Sequence, residues 1–249
     1  MPLRGKAIAQ QSDEEAKPSF MSRAPFSKPH RLSRAEQRAE SLQQILDAAE
    51  YLFSKRGLYG VTMRDVAEAV GVHTTLVHYY FDDKRTLFDA VFARRAAITI
   101  ELRMEALDRY EQAAAGKPTL EGALSAFLDT DLDLYINGGE GPKNYAALVA
   151  QVSNMPELGA ELMERHFDPV VHKLIDLLRK AVPEYAEEDL YWGYHFVSGA
   201  LMLTLARTGR LDKLSKGLCK SDDLAAIKTR MANFMAMGFR SFMERDRTT

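Results

Sequence analysis

The sequence predicts an all-α protein, in which an amino-terminal helix-turn-helix domain of three helices precedes a larger helical domain. Apolar residues recur at helical spacing, clusters of Pro and Gly divide that pattern, and no segment alternates convincingly as a strand would. A chain of 249 residues with 46% hydrophobic content can bury a substantial core. We assign residues 1–32 to an arm, residues 33–83 to the first domain and residues 84–249 to the second.

The first 32 residues are polar and rich in Pro and Ser, with basic residues set against an acidic cluster at residues 13–15. This composition predicts a flexible arm, because it offers too few apolar side chains to form a core. The arm could touch nucleic acid, as arms that enter the minor groove do, or it could remain a solvated tail. The composition leaves both alternatives open.

Two capping signals predict the first two helices. Ser33 followed by Glu36 is typical of a capping box, and the apolar residues after it recur at helical spacing until Gly57 ends the helix. Thr62 precedes Asp65 by the same interval, so its hydroxyl can cap the next helix. The exposed position of this threonine also allows contact with a phosphate, and both uses could coexist.

Residues 63–82, MRDVAEAVGVHTTLVHYYFD, have the spacing that a helix-turn-helix requires. Ala67 is small where the two helices must approach closely, and Gly71 stands where the turn needs a left-handed backbone. Valines and Tyr80 supply the inner faces of both helices. Five residues are expected to face outwards towards the major groove of DNA: His73, Thr74, Thr75, His78 and Tyr79.

A fourth helix is predicted to begin at Lys84, with Asp82 and Asp83 available to cap it. Its apolar face contains Leu87, Phe88, Val91 and Phe92. At its amino end, Lys84 is expected to point at the DNA backbone.

The segment VTMRDVAEAVGVHTTLVHYYFDDKRTLF, residues 61–88, resembles the DNA-binding region of the TetR family of bacterial transcription regulators. The resemblance implies phosphate contacts from Thr62, Tyr79 and Lys84, and base-edge contacts mainly from Arg64, Thr74, Thr75 and His78. Two positions depart from the family pattern. His73 stands where the family often has Ser, which weakens the expected cap of the recognition helix, and His78 replaces a common Tyr.

The second domain is divided by Pro and Gly at residues 116–118, 137–142, 154–156, 183 and 209–220. We predict about five helices between these breaks. The helix over residues 187–207 and the last helix, over residues 222–245, are apolar on two faces, so one face of each should pack against a second copy of the chain. The predicted interface of this homodimer contains Trp192, Phe196, Gly199, Leu203, Met235 and Phe239.

Such a dimer, which the family resemblance also implies, would read double-stranded DNA as two half-sites of an inverted-repeat operator. The formal net charge of −2 requires that DNA affinity come from a local basic surface, doubled by dimerisation.

Aromatic and polar residues on the middle helices could line a mostly apolar pocket for a small effector. The candidates are Tyr135, Tyr145, Gln151, His166, Phe167, His172 and His195. Taken alone, each of these residues is more often part of a packed core than a ligand contact, and only their combination favours a pocket. The carboxy-terminal half, LYWGYHFVSGALMLTLARTGRLDKLSKGLCKSDD, resembles the fatty-acid-responsive (PsrA-like) subgroup of the family, which implies a hydrophobic effector such as a fatty acid or acyl-CoA. Several Met residues could adapt to an acyl chain or merely fill the core.

Motifs that would indicate an enzyme do not occur: we find no HExxH, no ExxH pair, no Gly-rich phosphate loop and no nucleophile elbow. A single cysteine, Cys219, excludes an internal disulfide and a multi-cysteine metal site, although it could serve as a redox-sensing thiol. We therefore expect no enzyme activity, cofactor or metal. The longest apolar stretch is too short to span a bilayer, which predicts a cytoplasmic protein without membrane contact. An architectural DNA-binding protein without a ligand, and a regulator of non-acyl effectors, remain the alternatives.

Overall fold

A computed structural model describes residues 33–245, and this part of the chain contains ten helices and no strand, which confirms the predicted all-α class. The predicted arm, residues 1–32, lies outside the described residues. The helices are α1 Arg34–Arg56, α2 Met63–Val70, α3 Thr74–Tyr80, α4 Lys84–Ala114, α5 Leu120–Asn137, α6 Glu140–Val152, α7 Pro156–Ala181, α8 Glu187–Ala206, α9 Arg210–Leu214 and α10 Leu224–Arg245.

The capping signals act where the sequence predicts them. The Ser33 hydroxyl accepts a hydrogen bond from the Glu36 amide at 3.2 Å, while the Glu36 carboxylate accepts one from the Ser33 amide at 2.7 Å. Thr62 and Asp65 form the same reciprocal pair at the start of α2. Asp83 caps α4 by accepting a hydrogen bond from the Thr86 amide at 2.7 Å. These bonds satisfy amide groups that have no partner within their own helix.

Helices α1 to α3 pack with the first turns of α4 around one apolar core. Phe53 of α1 and Phe88 of α4 meet edge to face, with ring centroids 5.1 Å apart, and neither side chain is exposed by more than 1%. Val66 of α2 and Val77 of α3 are fully buried. Helices α1 to α3 therefore hold a defined orientation relative to α4.

Ion pairs and hydrogen bonds attach α1 to helices α4 and α6 of the larger, carboxy-terminal part of the chain. Glu50 is buried and binds Arg94 at 2.5 Å and Arg95 at 2.8 Å, both on α4. Ser54 donates a hydrogen bond to the side-chain oxygen of Asn144 on α6, at 3.1 Å. Buried charges and hydroxyls need such partners, so α1 is fixed to both α4 and α6. The boundary between residues 83 and 84 stays a prediction, since α4 packs against α1 and α5 alike.

The predicted number of about five helices in the larger part is wrong. Seven of the described helices follow α3, because each predicted break separates two helices and the break over residues 209–220 itself contains α9. A five-residue helix is too short to show a periodic apolar pattern. In the described part of the chain, no helix is both long enough and apolar enough to cross a membrane.

Candidate DNA-reading surface and effector cavity

The second helix of the helix-turn-helix, α3, presents one face to solvent and anchors the other. His73, Thr75, His78 and Tyr79 are exposed and Thr74 is half-buried, whereas Val77 is fully buried. Gly71 ends α2 with φ 74° and ψ 31°, the left-handed conformation that the sequence predicts. The turn therefore directs the exposed side chains of α3 away from the core.

The start of α3 has no side-chain cap within the described residues: His73 occupies the N-cap position without accepting a hydrogen bond there. Its Nδ1 lies 3.2 Å from the Thr75 hydroxyl oxygen instead. The His78 Nδ1 lies 3.4 Å from the Asp82 carbonyl oxygen. Both imidazoles have exposed edges that can donate or accept a hydrogen bond, depending on their tautomer.

The remaining predicted DNA contacts surround α3. Arg64 is exposed and forms an ion pair with Glu68 at 2.7 Å. To contact DNA as predicted, Arg64 would have to leave the Glu68 carboxylate and bind a base edge or a phosphate instead. The exposed Thr62 hydroxyl is occupied by its capping partner, to which it donates at 2.6 Å. Lys84 is half-buried at the first residue of α4.

Arg38 is a further basic residue at this surface that the motif does not reveal. Its guanidinium carbon lies 5.4 Å from the ring centroid of Tyr79 and 5.9 Å from that of Tyr80. The Tyr80 hydroxyl donates a hydrogen bond to the Arg38 carbonyl oxygen at 3.1 Å. Because α1 and α3 are distant in sequence, only the tertiary structure brings this cation to the reading helix.

A cavity of about 1030 Å³ lies among helices α4 to α8. Four of the seven predicted effector residues line it: Tyr135, Tyr145, Phe167 and His195. The other three do not. Gln151 faces α1 and donates to the Ser54 carbonyl oxygen at 2.8 Å, His166 packs against Phe92 with ring centroids 5.8 Å apart, and His172 is exposed.

Two charged residues in the cavity wall were missed by the sequence analysis. Arg103 of α4 and Asp131 of α5 are 4% and 8% exposed, and their side chains form an ion pair. The Arg103 guanidinium carbon also lies 4.3 Å from the ring centroid of Phe127. Helical spacing from the buried Ala96 and Leu107 would have placed Arg103 on the inner face of α4.

Three buried polar atoms of this wall have no hydrogen-bond partner among the described residues: Arg103 Nε, the Tyr145 hydroxyl and Asp131 Oδ2. Of these, Asp131 Oδ2 is in ion-pair contact with the Arg103 guanidinium. Burial lowers the pKa of Arg103 to about 10, so the guanidinium stays charged at neutral pH. Burial raises the pKa of the Tyr145 phenol, which therefore stays protonated. Arg103 Nε and the Tyr145 hydroxyl are consequently two unpartnered donors on residues that line the cavity.

The predicted dimer face divides into exposed and buried residues. Trp192 and Phe196 are each 55% exposed on α8 with stacked rings 6.1 Å apart, and Gly199 and Leu203 are exposed beside them. On α10, however, Met235 is half-buried and Phe239 lies in the core of its own chain, where an added Cβ at Gly193 would meet its ring. Phe239 is therefore unavailable to a partner, and among the described side chains of α10 the large exposed apolar ones are Phe234 and Met237.

No group of three or more His, Cys, Asp or Glu side chains is arranged to hold a metal ion in residues 33–245. The site instead consists of an exposed recognition helix, a long connecting helix and a partly open, mainly apolar cavity with the Arg103–Asp131 ion pair in its wall. This combination defines a helix-turn-helix protein that carries a helical cavity domain.

The chain belongs to the TetR family of bacterial regulatory proteins. Residues 45–91 match the family model for bacterial regulatory proteins of the tetR family, and residues 125–238 match the model for a tetracyclin repressor-like carboxy-terminal domain. The chain is 38% identical over 48 residues to the HTH-type transcriptional repressor KstR2 of Rhodococcus jostii, which covers 19% of this chain and 24% of that protein. It is 33% identical over 66 residues to the regulator AcrR of Shigella flexneri, covering 26% and 31% respectively.

The aligned part thus spans about a quarter to a third of the length of these curated relatives. Among solved structures, FadR from Bacillus subtilis in complex with stearoyl-CoA is similar with a TM-score of 0.55 at 16% identity, covering 79% of this chain and 98% of that one. The fatty acid degradation regulator FadR from Bacillus halodurans gives a TM-score of 0.54 at 16% identity, covering 80% and 96%. At such identities the likeness establishes the fold alone.

Proposed function

We propose that this chain is a homodimeric transcription repressor, which a small hydrophobic effector of the fatty-acyl type releases from an inverted-repeat operator. One observation carries the proposal: α4 begins at Lys84 beside the reading helix and continues to Arg103 in the wall of the cavity. A single rigid helix therefore joins the candidate DNA contact to the candidate effector site. Action on bacterial DNA would also place the protein in the cytoplasm.

The exposed face of α3 supports the reading of base edges. Thr74, Thr75 and His78 would contact bases together with Arg64, while Thr62, Tyr79 and Lys84 would contact phosphates. His73 and Arg38 extend the same surface. In a twofold dimer, two such helices would enter successive major grooves about 34 Å apart.

The size and lining of the cavity support a flexible, mainly apolar effector. Aromatic residues form part of its wall, and Met155, Met163 and Met202 can adapt to a chain of variable shape. The structural likeness to a FadR that was crystallised with stearoyl-CoA supports the fatty-acyl class. An effector of another class that fills the same volume would be the alternative within this function.

Helix α6 and helix α4 would couple the two sites. Tyr145 and Val149 of α6 line the cavity, while Asn144 and Gln151 of the same helix bind Ser54 of α1. An effector that favours a different position of α6 or α4 would change the orientation of α1 and hence the spacing of the two reading helices. Operator affinity would then fall by a shift of population between two arrangements.

The function can be tested by fluorescence anisotropy of the protein on duplex DNA from upstream of its own gene, with and without acyl-CoA and free fatty acid. We expect saturable binding to an inverted repeat, released by an acyl ligand. Binding that no acyl compound disturbs would reject the fatty-acyl effector and keep the regulator. An architectural protein would bind DNA without responding to any ligand, but it would not need a cavity of this size.

The reading surface can be tested with two alanine substitutions. Thr75→Ala and His78→Ala should each weaken specific binding by about tenfold, which corresponds to about 1.4 kcal/mol and lies within the range of one base contact. Thr229→Ala and His172→Ala remove the same residue types from exposed positions on α10 and α7, and they should leave operator affinity unchanged. Unaltered affinity in both α3 variants would place the reading face elsewhere.

A further inference from the structure

The cavity wall contains an electrically balanced but incompletely hydrogen-bonded cluster. Arg103 and Asp131 compensate each other's charge, and the Tyr145 hydroxyl lies close enough to Arg103 for the two to interact electrostatically. Arg103 and Tyr145 are 4% and 6% exposed, so bulk water satisfies neither of them. Leaving a buried donor without an acceptor destabilises the folded protein.

The two unpartnered donors of this cluster have the same requirement. Arg103 Nε–H and the Tyr145 O–H each need an acceptor, and both belong to residues that line the cavity, whose volume is about 1030 Å³. The guanidinium can only donate, and the phenol keeps its proton. A ligand oxygen that reaches both atoms would satisfy both donors at once.

The charge of that oxygen follows from Asp131. Because the carboxylate already neutralises Arg103, a second carboxylate in the cavity would be buried without compensation. Burying an unpaired charge is far more costly than burying a hydrogen-bonded neutral group. A pure hydrocarbon would also fit poorly, since it would leave both donors unsatisfied.

We propose that Arg103 and Tyr145 form a subsite for an uncharged carbonyl oxygen of the effector, such as that of an ester, a thioester or an amide. This inference rests on the proposed function, because it names the chemistry of the ligand for the same cavity. The carbonyl oxygen accepts from Arg103 Nε and from the Tyr145 hydroxyl, while the apolar chain lies against Phe127, Phe167 and the Met residues. Asp131 acts as a positioning residue that holds the guanidinium and excludes anionic ligands.

Three probes of similar length separate the possible ligand chemistries: methyl octanoate, octanoate at pH 8 and the hydrocarbon nonane. Their affinities can be measured with the full chain by displacement of Nile red. We expect methyl octanoate to bind at least about tenfold more tightly than either of the other two, the factor that corresponds to one net hydrogen bond of about 1.4 kcal/mol.

The variant Tyr145→Phe removes one donor and keeps the ring. It should reduce the affinity for methyl octanoate by about tenfold and leave the affinity for nonane unchanged or improved. Arg103→Lys keeps the charge opposite Asp131 but has no Nε–H. This variant should likewise reduce the ratio of methyl octanoate affinity to nonane affinity. Tyr185→Phe removes a hydroxyl from a tyrosine outside the cavity lining and is the control. Thermal unfolding of each variant reports whether it folds.

The subsite is overturned if octanoate binds as tightly as its methyl ester, or if Tyr145→Phe leaves the ratio of ester to nonane affinity unchanged. Failure of all three probes to displace the dye would likewise overturn it. Operator binding by the same preparation then separates the two proposals. Specific DNA binding without probe binding rejects only the subsite, whereas loss of both rejects the proposed function as well.

Discussion

Gly71 sets the geometry of the reading surface at a single backbone position. Its φ of 74° lies in the left-handed region, and the following amide of Val72 donates to the Ala67 carbonyl oxygen at 3.0 Å. Gly71→Ala should destabilise the protein by about 1–2 kcal/mol, the cost of left-handed backbone for a residue with a Cβ. No atom lies within 4 Å of the added Cβ, so backbone strain alone causes the loss.

Urea unfolding measures this effect, and Gly71→Asn is the matched comparison. Asn tolerates the left-handed region better than Ala, so its loss should be the smaller of the two. Equal stability of Gly71→Ala and the unaltered protein would mean that the turn adopts another conformation in solution.

Single residues of the cavity wall also show how far side-chain positions can be predicted from sequence. Tyr135, Tyr145, Phe167 and His195 line the cavity, and their contact with an effector stays a prediction. Arg103 was missed, because a charged residue in a helix is usually solvated and its partner, Asp131, lies on another helix. Gln151 and His172 were misplaced because residue type alone does not specify which helix face meets the cavity.

At the scale of helices, Glu50 joins α1 to α4. It is 2% exposed, and removing its charge leaves both Arg94 and Arg95 without their buried carboxylate. Glu50→Gln should destabilise the protein by about 2–3 kcal/mol, somewhat less than a fully buried pair because both arginines reach solvent. Chemical unfolding checks this value, and Glu105→Gln, from an exposed pair with Arg109, should change stability by less than about 0.5 kcal/mol. Equal effects of both substitutions would contradict the anchoring role of Glu50.

Glu111 joins α4 to α7 in a pH-dependent manner. Hydrogen bonds from Lys173 and Lys180 lower the pKa of its carboxyl from 4.5 to about 2. A carboxyl with a depressed folded-state pKa stabilises the protein above its unfolded pKa, and this contribution is lost as the pH falls through the folded value. The stability difference between the unaltered protein and Glu111→Gln should therefore be full above about pH 5 and shrink between pH 4.5 and pH 2.

Urea titrations at pH 6, 4 and 3 would follow that difference, with Glu164→Gln, an exposed carboxylate on α7, as the control. A difference that stays constant over this range would show that the two lysines do not hold the carboxylate in solution.

The helix boundaries themselves were predictable, since caps and Pro or Gly breaks are local signals. The short α9 was not, because five residues carry no periodicity.

At the scale of the whole molecule, α8 and α10 leave an apolar face uncovered. Trp192, Phe196 and Leu203 of α8 are exposed together with Phe234 and Met237 of α10. A patch of this kind on a single chain indicates a surface that another molecule covers. We expect Phe196→Glu to convert a dimer into a monomer in analytical ultracentrifugation and to weaken operator binding, because half-sites are then bound singly.

Trp192 is an intrinsic fluorescence probe of this interface, since it is the one tryptophan in the chain. Its fluorescence should shift to longer wavelength on dilution of the protein and in Phe196→Glu. Tyr59→Glu places the same charge at an exposed aromatic residue of the α1–α2 loop and should leave the sedimentation mass of the dimer unchanged. A monomeric unaltered protein at micromolar concentration would contradict the proposed interface.

The sequence by itself determined the all-α class, the helix-turn-helix and its caps, and the family, because these depend on signals between residues that are close along the chain. Only the tertiary structure decided which faces of the long helices meet. It moved Phe239 from the predicted dimer face into the core, brought Arg38 to the reading helix and paired Arg103 with Asp131 inside the cavity. Helical periodicity tells that two faces are apolar but not which neighbour covers each, since that choice is made by packing among all the helices at once.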